Sequence, residues 1–352
     1  MLILHTAFLR PDAGGSLARG ESESREAAAR WLGACEAAGA SALLLDEAIP
    51  APWWAHLLPA LRPPSGAFLP LAMRPPVPAP VWPPPESGDV GADALAACFP
   101  LADTLGCRLW ILRLGAVGME DPMEELAGLW RRERLPESEE GVERAGEILA
   151  DRAGRAGPVR EAARRLLERL FPEAERYGVT LCLESGRDVR AYPSYREAED
   201  LIREFEGAPL GYWHNAGHAG VHAQLGLIEG PLVIERLSPH IRGGTLHDAL
   251  GTRDHLPPGE GRVDFAALRA AVPDGLPWAV DVRRLRGKGA APVGGAAERE
   301  RWEEERARKG RGGLPPDDPP SREEEGEAEE KKAPAGPEAV GEALLAFAEY
   351  GF

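Results

Sequence analysis

Four short apolar runs in this chain lead into side chains that hold protons or bind cations. "VTLCLES" reaches Glu184, "LGYWH" runs into Asn215, "IRGGTLHD" carries His247 and Asp248, and "WAVDV" contains Asp281. Six of the eight histidines fall in the same region: His214, His218, His222, His240, His247 and His255. Two carboxylates, an imidazole and an amide oxygen make a mixed nitrogen and oxygen donor set. Such a set suits a hard or borderline divalent ion, Mn²⁺, Mg²⁺, Co²⁺ or Zn²⁺, and the two carboxylates balance its charge. This chemistry requires that the four runs end at one point.

The elements that could bring them there are legible as an alternation. Strand-like runs occur at 2–5, 41–47, 67–73, 108–114, 179–185, 210–214, 241–248 and 278–282. Their near-continuous apolar character suits parallel strands buried on both faces. Helix-like segments separate them, among them "VREAARRLLERLFPEAERYG", and "SYREAEDLIREFEG", which opens on a capping box, Ser194 with Glu197. Eight strands alternating with helices predict an α/β fold of the (β/α)8 TIM-barrel type, with an open doubly wound sheet as the alternative. In a barrel, the C-terminal strand ends share one mouth, so Glu184, Asn215, His247 and Asp281 would come from four successive staves.

Two segments interrupt the alternation. Residues 119–157 form a long connection rich in Glu and Arg, read either as a lid over the mouth or as a surface insertion. Residues 286–336 are a charged, Gly- and Pro-rich low-complexity tract, expected to be disordered because it has too little apolar surface to order itself. The expected organisation is therefore a barrel body at 1–285, the insertion at 286–336 and the last barrel helix at 337–352.

Composition narrows the function. The formal charge of −16 disfavours nucleic acid and anionic membranes as partners. The first 287 residues contain no lysine, which counts against Schiff-base, pyridoxal-phosphate and P-loop chemistry. Cys35, Cys98, Cys107 and Cys182 have no zinc-ligand spacing and read as reduced thiols. The opening "MLILHTAFLR" is unlike a signal peptide and no run has the length of a membrane span, so a cytoplasmic location is expected.

The motifs "LCLES", "YWHNAGHA", "GGTLHDALGTRDHLPPGEGRVDF" and "WAVDV" resemble those of the xylose-isomerase-like barrel superfamily of sugar isomerases and epimerases, over about residues 178–283. The resemblance implies metal ligands at Glu184, Asn215, His247 and Asp281, with Asn215 where the family has Asp and Asp281 where it has Glu. It also implies substrate contacts from His218 and Arg253. The family's DNA-repair branch draws further histidines from the third and fourth strands, and "LPLAMRPP" and "WILRLGA" offer none.

The expected reaction is metal-assisted proton transfer beside the carbonyl of a sugar or polyol ketone, an isomerisation or epimerisation with Glu184 and Asp281 as the proton-transfer groups. The two departures also admit a non-catalytic barrel that binds a small polyol or a protein partner. A metal-dependent dehydratase of polyol ketones would use the same residues. Other polar groups read more simply: Arg113 as a salt-bridge partner, His222 and His240 as packing or surface residues, His255 and "PPGEG" as loop-shaping. His5, Glu47, Trp53 and Trp54 would border the mouth in a barrel but need no ligand to explain them.

Overall fold

The computed structural model describes residues 2–5, 43–45, 70–73, 88–132, 135–136, 138–282 and 346–352. Eight strands close into a barrel whose order follows the chain: β1 (Leu2–His5), β2 (Leu43–Leu45), β3 (Pro70–Met73), β4 (Leu109–Leu112), β6 (Thr180–Leu183), β8 (Leu210–Asn215), β9 (Ile241–Leu246) and β12 (Trp278–Val280). Every neighbouring pair is parallel, including the closing pair of β1 with β12. Each of the eight strand-like runs in the sequence thus supplies one stave. Glu47, Trp53, Trp54 and the tract at 286–336 lie outside the described residues, as do residues 337–345.

The interior is filled by Leu44, Ala72, Ile111, Cys182, Trp213 and Ala279, one apiece from six strands. Trp213 is the largest and its indole N–H donates to Thr245 Oγ1 at 2.8 Å. Room for it comes from Gly243 on the adjacent strand, where a Cβ would lie 2.4 Å from the indole. Gly243 is therefore a packing feature of the barrel interior, while Gly244 makes room for Trp278 of the outer core.

Helices cover the outside. The longest among the described residues, α5 (Gly157–Tyr177), follows α1 (Gly88–Ala96), α2 (Phe99–Leu105), α3 (Met123–Arg131) and α4 (Glu139–Arg155). It buries Val159, Ala163, Leu166, Leu167, Leu170 and Ala174, a three- and four-residue spacing that forms one stripe. It ends on Gly178 in the left-handed region, whose N–H returns to the carbonyls of Ala174 and Glu175. The next helix, α6 (Tyr195–Glu204), has the complete capping box of Ser194 and Glu197. No helix of the described residues is long and apolar enough to cross a membrane.

Residues 119–157 are packed rather than loose. α3 and α4 contribute Leu126, Leu129, Ala145 and Ile148 to a second core with Val189, Val221, Leu225 and Ala249. Buried Arg152 locks α4 down: it makes two hydrogen bonds to the Glu197 carboxylate, at 3.0 and 2.8 Å, and others to the carbonyls of Val189 and Ala191. Burial is the largest single influence on the Glu197 pKa and would raise it, but the hydrogen bonds and charge of Arg152 and the hydrogen bonds of Ser194 together outweigh it and the net shift is downward.

Beyond the strand ends two small antiparallel pairs form. β5 (Gly115–Ala116) joins β7 (Ala191–Tyr192), and β10 (Asp248–Leu250) joins β11 (Arg253–Leu256) in a hairpin directly after β9. The Asp248 carboxylate anchors this hairpin by accepting backbone N–H groups from Ala249, Gly259, Gly261 and Val263 at 2.8–3.0 Å. The third strand-end carboxylate in the sequence is thus a loop anchor.

Candidate active site

The four staves β6, β8, β9 and β12 are consecutive around the barrel. Glu184 follows β6 and its N–H donates to Leu112 O, while Asp281 follows β12 and donates to Leu246 O. Both carboxylates therefore sit one step past a strand end, held by the neighbouring strand. Asn215 ends β8 and His247 follows β9. All four side chains are buried.

A continuous series of contacts links them. Arg113, after β4, donates its Nε–H to Glu184 Oε2 at 2.9 Å. Asn215 Nδ2 donates to the other oxygen, Oε1, at 3.2 Å. The Asn215 side-chain oxygen accepts the N–H of His218 at 3.0 Å and caps α7 (Ala216–Gln224). His218 packs edge-on to His247, with ring centroids 5.6 Å apart, and His247 stacks on His255 at 4.2 Å. The His255 Nδ1 lies 3.0 Å from the Asp281 carbonyl oxygen and 3.3 Å from its Oδ2.

Gly217 makes the close approach of α7 possible. It lies inside that helix, not in the tight turn that its place in "HNAGH" suggests, and a Cβ there would meet His247 Nδ1 at 1.9 Å. His247 Nδ1 accepts the backbone N–H of His255 at 2.9 Å, so a neutral His247 carries its proton on Nε2. That Nε2 is buried and has no hydrogen-bond partner among the described residues. Burial pushes the His247 pKa down to about 3 and His218 well below the ordinary imidazole range, so both rings are neutral at pH 7.

The remaining histidines divide. His222 donates or accepts at the Arg187 carbonyl, 2.7 Å away, and burial pushes it down to about 4; it is a packing residue of α7. Arg253 stands on β11 with an exposed side chain, two residues from His255. Asp254, between them, was not singled out by the motif pattern. Its Oδ2 lies 3.6 Å from both His218 Nε2 and His255 Nε2. The hairpin signal, Gly251 at φ 60 between two apolar-flanked runs, is what folds Asp254 and His255 back towards His247.

No protein-family sequence model matches the chain, and no curated protein matches it by sequence. Solved structures do. An L-ribulose 3-epimerase aligns with a TM-score of 0.58 at 13% identity, covering 99% of this chain and 95% of that one. The chain shares the fold of the xylose-isomerase-like barrels. A D-allulose 3-epimerase from Methylomonas sp., in complex with D-allulose, aligns at 0.54 and 12% identity over 80% of this chain and 83% of that one. An IolI protein with a bound zinc atom aligns at 0.53 and 14%, over 80% and 89%. The resemblance carried by residues 178–283 thus extends to the fold of the whole barrel.

Proposed function

We propose that the barrel mouth catalyses proton transfer beside the carbonyl of a sugar or polyol ketone, as an isomerase or epimerase. The observation that carries this is the unbroken contact series from Glu184 through Asn215, His218, His247 and His255 to Asp281, which brings to one rim two buried carboxylates and a buried imidazole N–H with no hydrogen-bond partner among the described residues. The solved structures that share the fold include sugar 3-epimerases, which supports the reaction class.

In this reading Glu184 and Asp281 remove and return the proton on the carbon next to the carbonyl. Positioned acid–base groups of this kind contribute about 10²–10⁴-fold. His247, neutral and protonated on Nε2, donates to the carbonyl oxygen as negative charge develops there. Arg253 fixes a substrate oxygen at the exposed side of the mouth, and His218, which the family motif assigns to another substrate oxygen, borders the same space.

A divalent ion at the centre of Glu184, Asn215, His247 and Asp281 does not fit this donor set. Arg113 already neutralises Glu184, and Asn215 turns its N–H towards that carboxylate while its oxygen caps α7. These contacts form a hydrogen-bonded ion pair, not a ring of lone pairs around a cation, and His247 offers a proton rather than a lone pair. No step of the proposed reaction runs through an ion at that point.

The test is solvent exchange. The full chain is incubated with a panel of free and phosphorylated ketoses in D₂O, and deuterium on the carbon beside the carbonyl is followed by NMR. Exchange with at least one ketose, lost in Glu184→Gln, is expected; no exchange with any of them refutes the reading.

A further inference from the structure

The inward-facing layer of the barrel continues one residue past the strands. Side chains alternate faces along a strand, and Ile111, Cys182, Trp213 and Ala279 fill the interior. Two residues further on, the same alternation aims Arg113, Glu184, Asn215 and Asp281 at the mouth. Arg113 is thus a strand-end residue in the same sense as the other three, and the cationic one among them. The register of β4 on β6 pairs Ile111 with Cys182 and Leu112 with Leu183, which brings Arg113 level with Glu184.

Its guanidinium is only partly engaged. The Nε–H donates to Glu184 Oε2 at 2.9 Å, and Nη1 and Nη2 have no hydrogen-bond or ion-pair partner among the described residues. Arg152, the structural arginine of this fold, instead engages Nε, Nη1 and Nη2 on Glu197 and two carbonyls. The Arg113 side chain is 42% exposed and that of Glu184 0%, so the guanidinium covers the carboxylate and keeps a free edge at the mouth. Burial is the main cause of the low His218 pKa, and the charge of Arg113 is a smaller one, so this charge acts across the space between Glu184 and His218.

The proposed reaction moves a negative charge at this point. When the C–H bond beside the carbonyl breaks, its proton passes to a Glu184 oxygen. Its electron pair becomes the new C=C bond, and the carbonyl π pair moves to oxygen. Glu184 becomes neutral and the substrate oxygen anionic. A cation paired with Glu184 alone stabilises only the state before transfer and makes the carboxylate a weaker base. A cation that also reaches the substrate oxygen follows the charge and favours the transition state. We propose that Arg113 is a catalytic residue: its Nη groups donate to the enediolate oxygen while its Nε–H holds Glu184 in place. This rests on the proton-transfer reading of the mouth and adds a charged donor to the neutral one at His247 Nε2.

The kinetics of deuterium exchange test this in the full chain, with the ketose that the wild-type chain exchanges fastest. Loss of one such donor costs about 10²–10³-fold in kcat, so Arg113→Met is expected to lose that factor with KM within about threefold. Arg113→Lys keeps a charge beside Glu184 but not the planar fork, and is expected to lose at least about 10-fold in kcat with an unchanged circular dichroism spectrum. It decides the question alone if Arg113→Met does not fold. The pH profile separates catalysis from support. Were Arg113 needed only to keep Glu184 ionised, the rate of Arg113→Met would return to the wild-type plateau as pH rises; the deficit is expected to persist on that plateau. Three results overturn the proposal and leave the proton-transfer reading standing: kcat within about threefold of wild type in either folded variant, recovery at high pH, or a loss confined to KM for phosphorylated ketoses. No exchange of any ketose by the wild-type chain overturns both.

Discussion

Gly217→Ala tests how the mouth is assembled. The added methyl would sit 1.9 Å from His247 Nδ1, 2.0 Å from Cε1 and 2.9 Å from Cγ. Ordinary contact starts near 3.4 Å, so the ring has to retreat by about 1.5 Å. That retreat breaks the 2.9 Å hydrogen bond from the His255 N–H and the stacking of the two rings. Overpacking of this kind costs about 1–3 kcal/mol, and a stranded backbone N–H about 1–3 more. Alanine in place of glycine inside a helix returns about 1 kcal/mol. A net destabilisation of about 1–5 kcal/mol is expected in urea unfolding. A misplacement of about 1 Å can cost 10²-fold in rate, so any exchange activity should fall by at least that factor. The control is Gly146→Ala in α4, where the added methyl meets nothing within 4 Å and stability should rise by up to about 1 kcal/mol. If the two variants prove equally stable, or the His247 imidazole resonances do not move in Gly217→Ala, the close approach of α7 is not what fixes that ring.

Two further perturbations bear on the scaffold. Burial pushes His214 and His222 down to about 4, so between pH 6.5 and 4 the unfolded chain binds protons that the folded chain refuses. Stability is therefore full above about pH 6.5 and falls as pH drops towards 4, by about 3 kcal/mol for each histidine, and urea midpoints that stay constant from pH 7 to 4.5 would contradict this. Arg152→Ala leaves Glu197 buried without its guanidinium partner and should cost about 3–5 kcal/mol, whereas Arg152→Met combined with Glu197→Gln should cost clearly less; equal losses in the two would show that packing, not the uncompensated charge, dominates.

The barrel was legible because parallel strands buried on both faces leave continuous apolar runs, and each such run became a stave. The strand-end residues were legible for a related reason, since a barrel puts every C-terminal strand end on the same side. What the sequence hid was pairing over distance. Arg113 and Glu184 are 71 positions apart, and an arginine at a strand end looks the same whether it faces water or a carboxylate. His255 reads as loop-shaping because its route back to the mouth depends on Asp248 gathering N–H groups 11 to 15 residues further on. A packed helical insertion and a mobile lid likewise share one composition. Only the burial of Leu126, Leu129 and Ile148 against Val221 and Ala249 separates them.

Asn215 looks in sequence like a lost charge, a strand-end ligand weakened by one substitution. The contacts around it give it a different meaning. Asp and Asn cap a helix equally well, so the bond to the His218 N–H does not require an amide. The bond to Glu184 does, because a carboxylate at 215 would face Glu184 with no proton between them and would need a cation there. Arg113 supplies a positive charge to Glu184, and Asn215 supplies a proton. The two residues are therefore one change: together they give Glu184 a positive charge and a proton from within the chain.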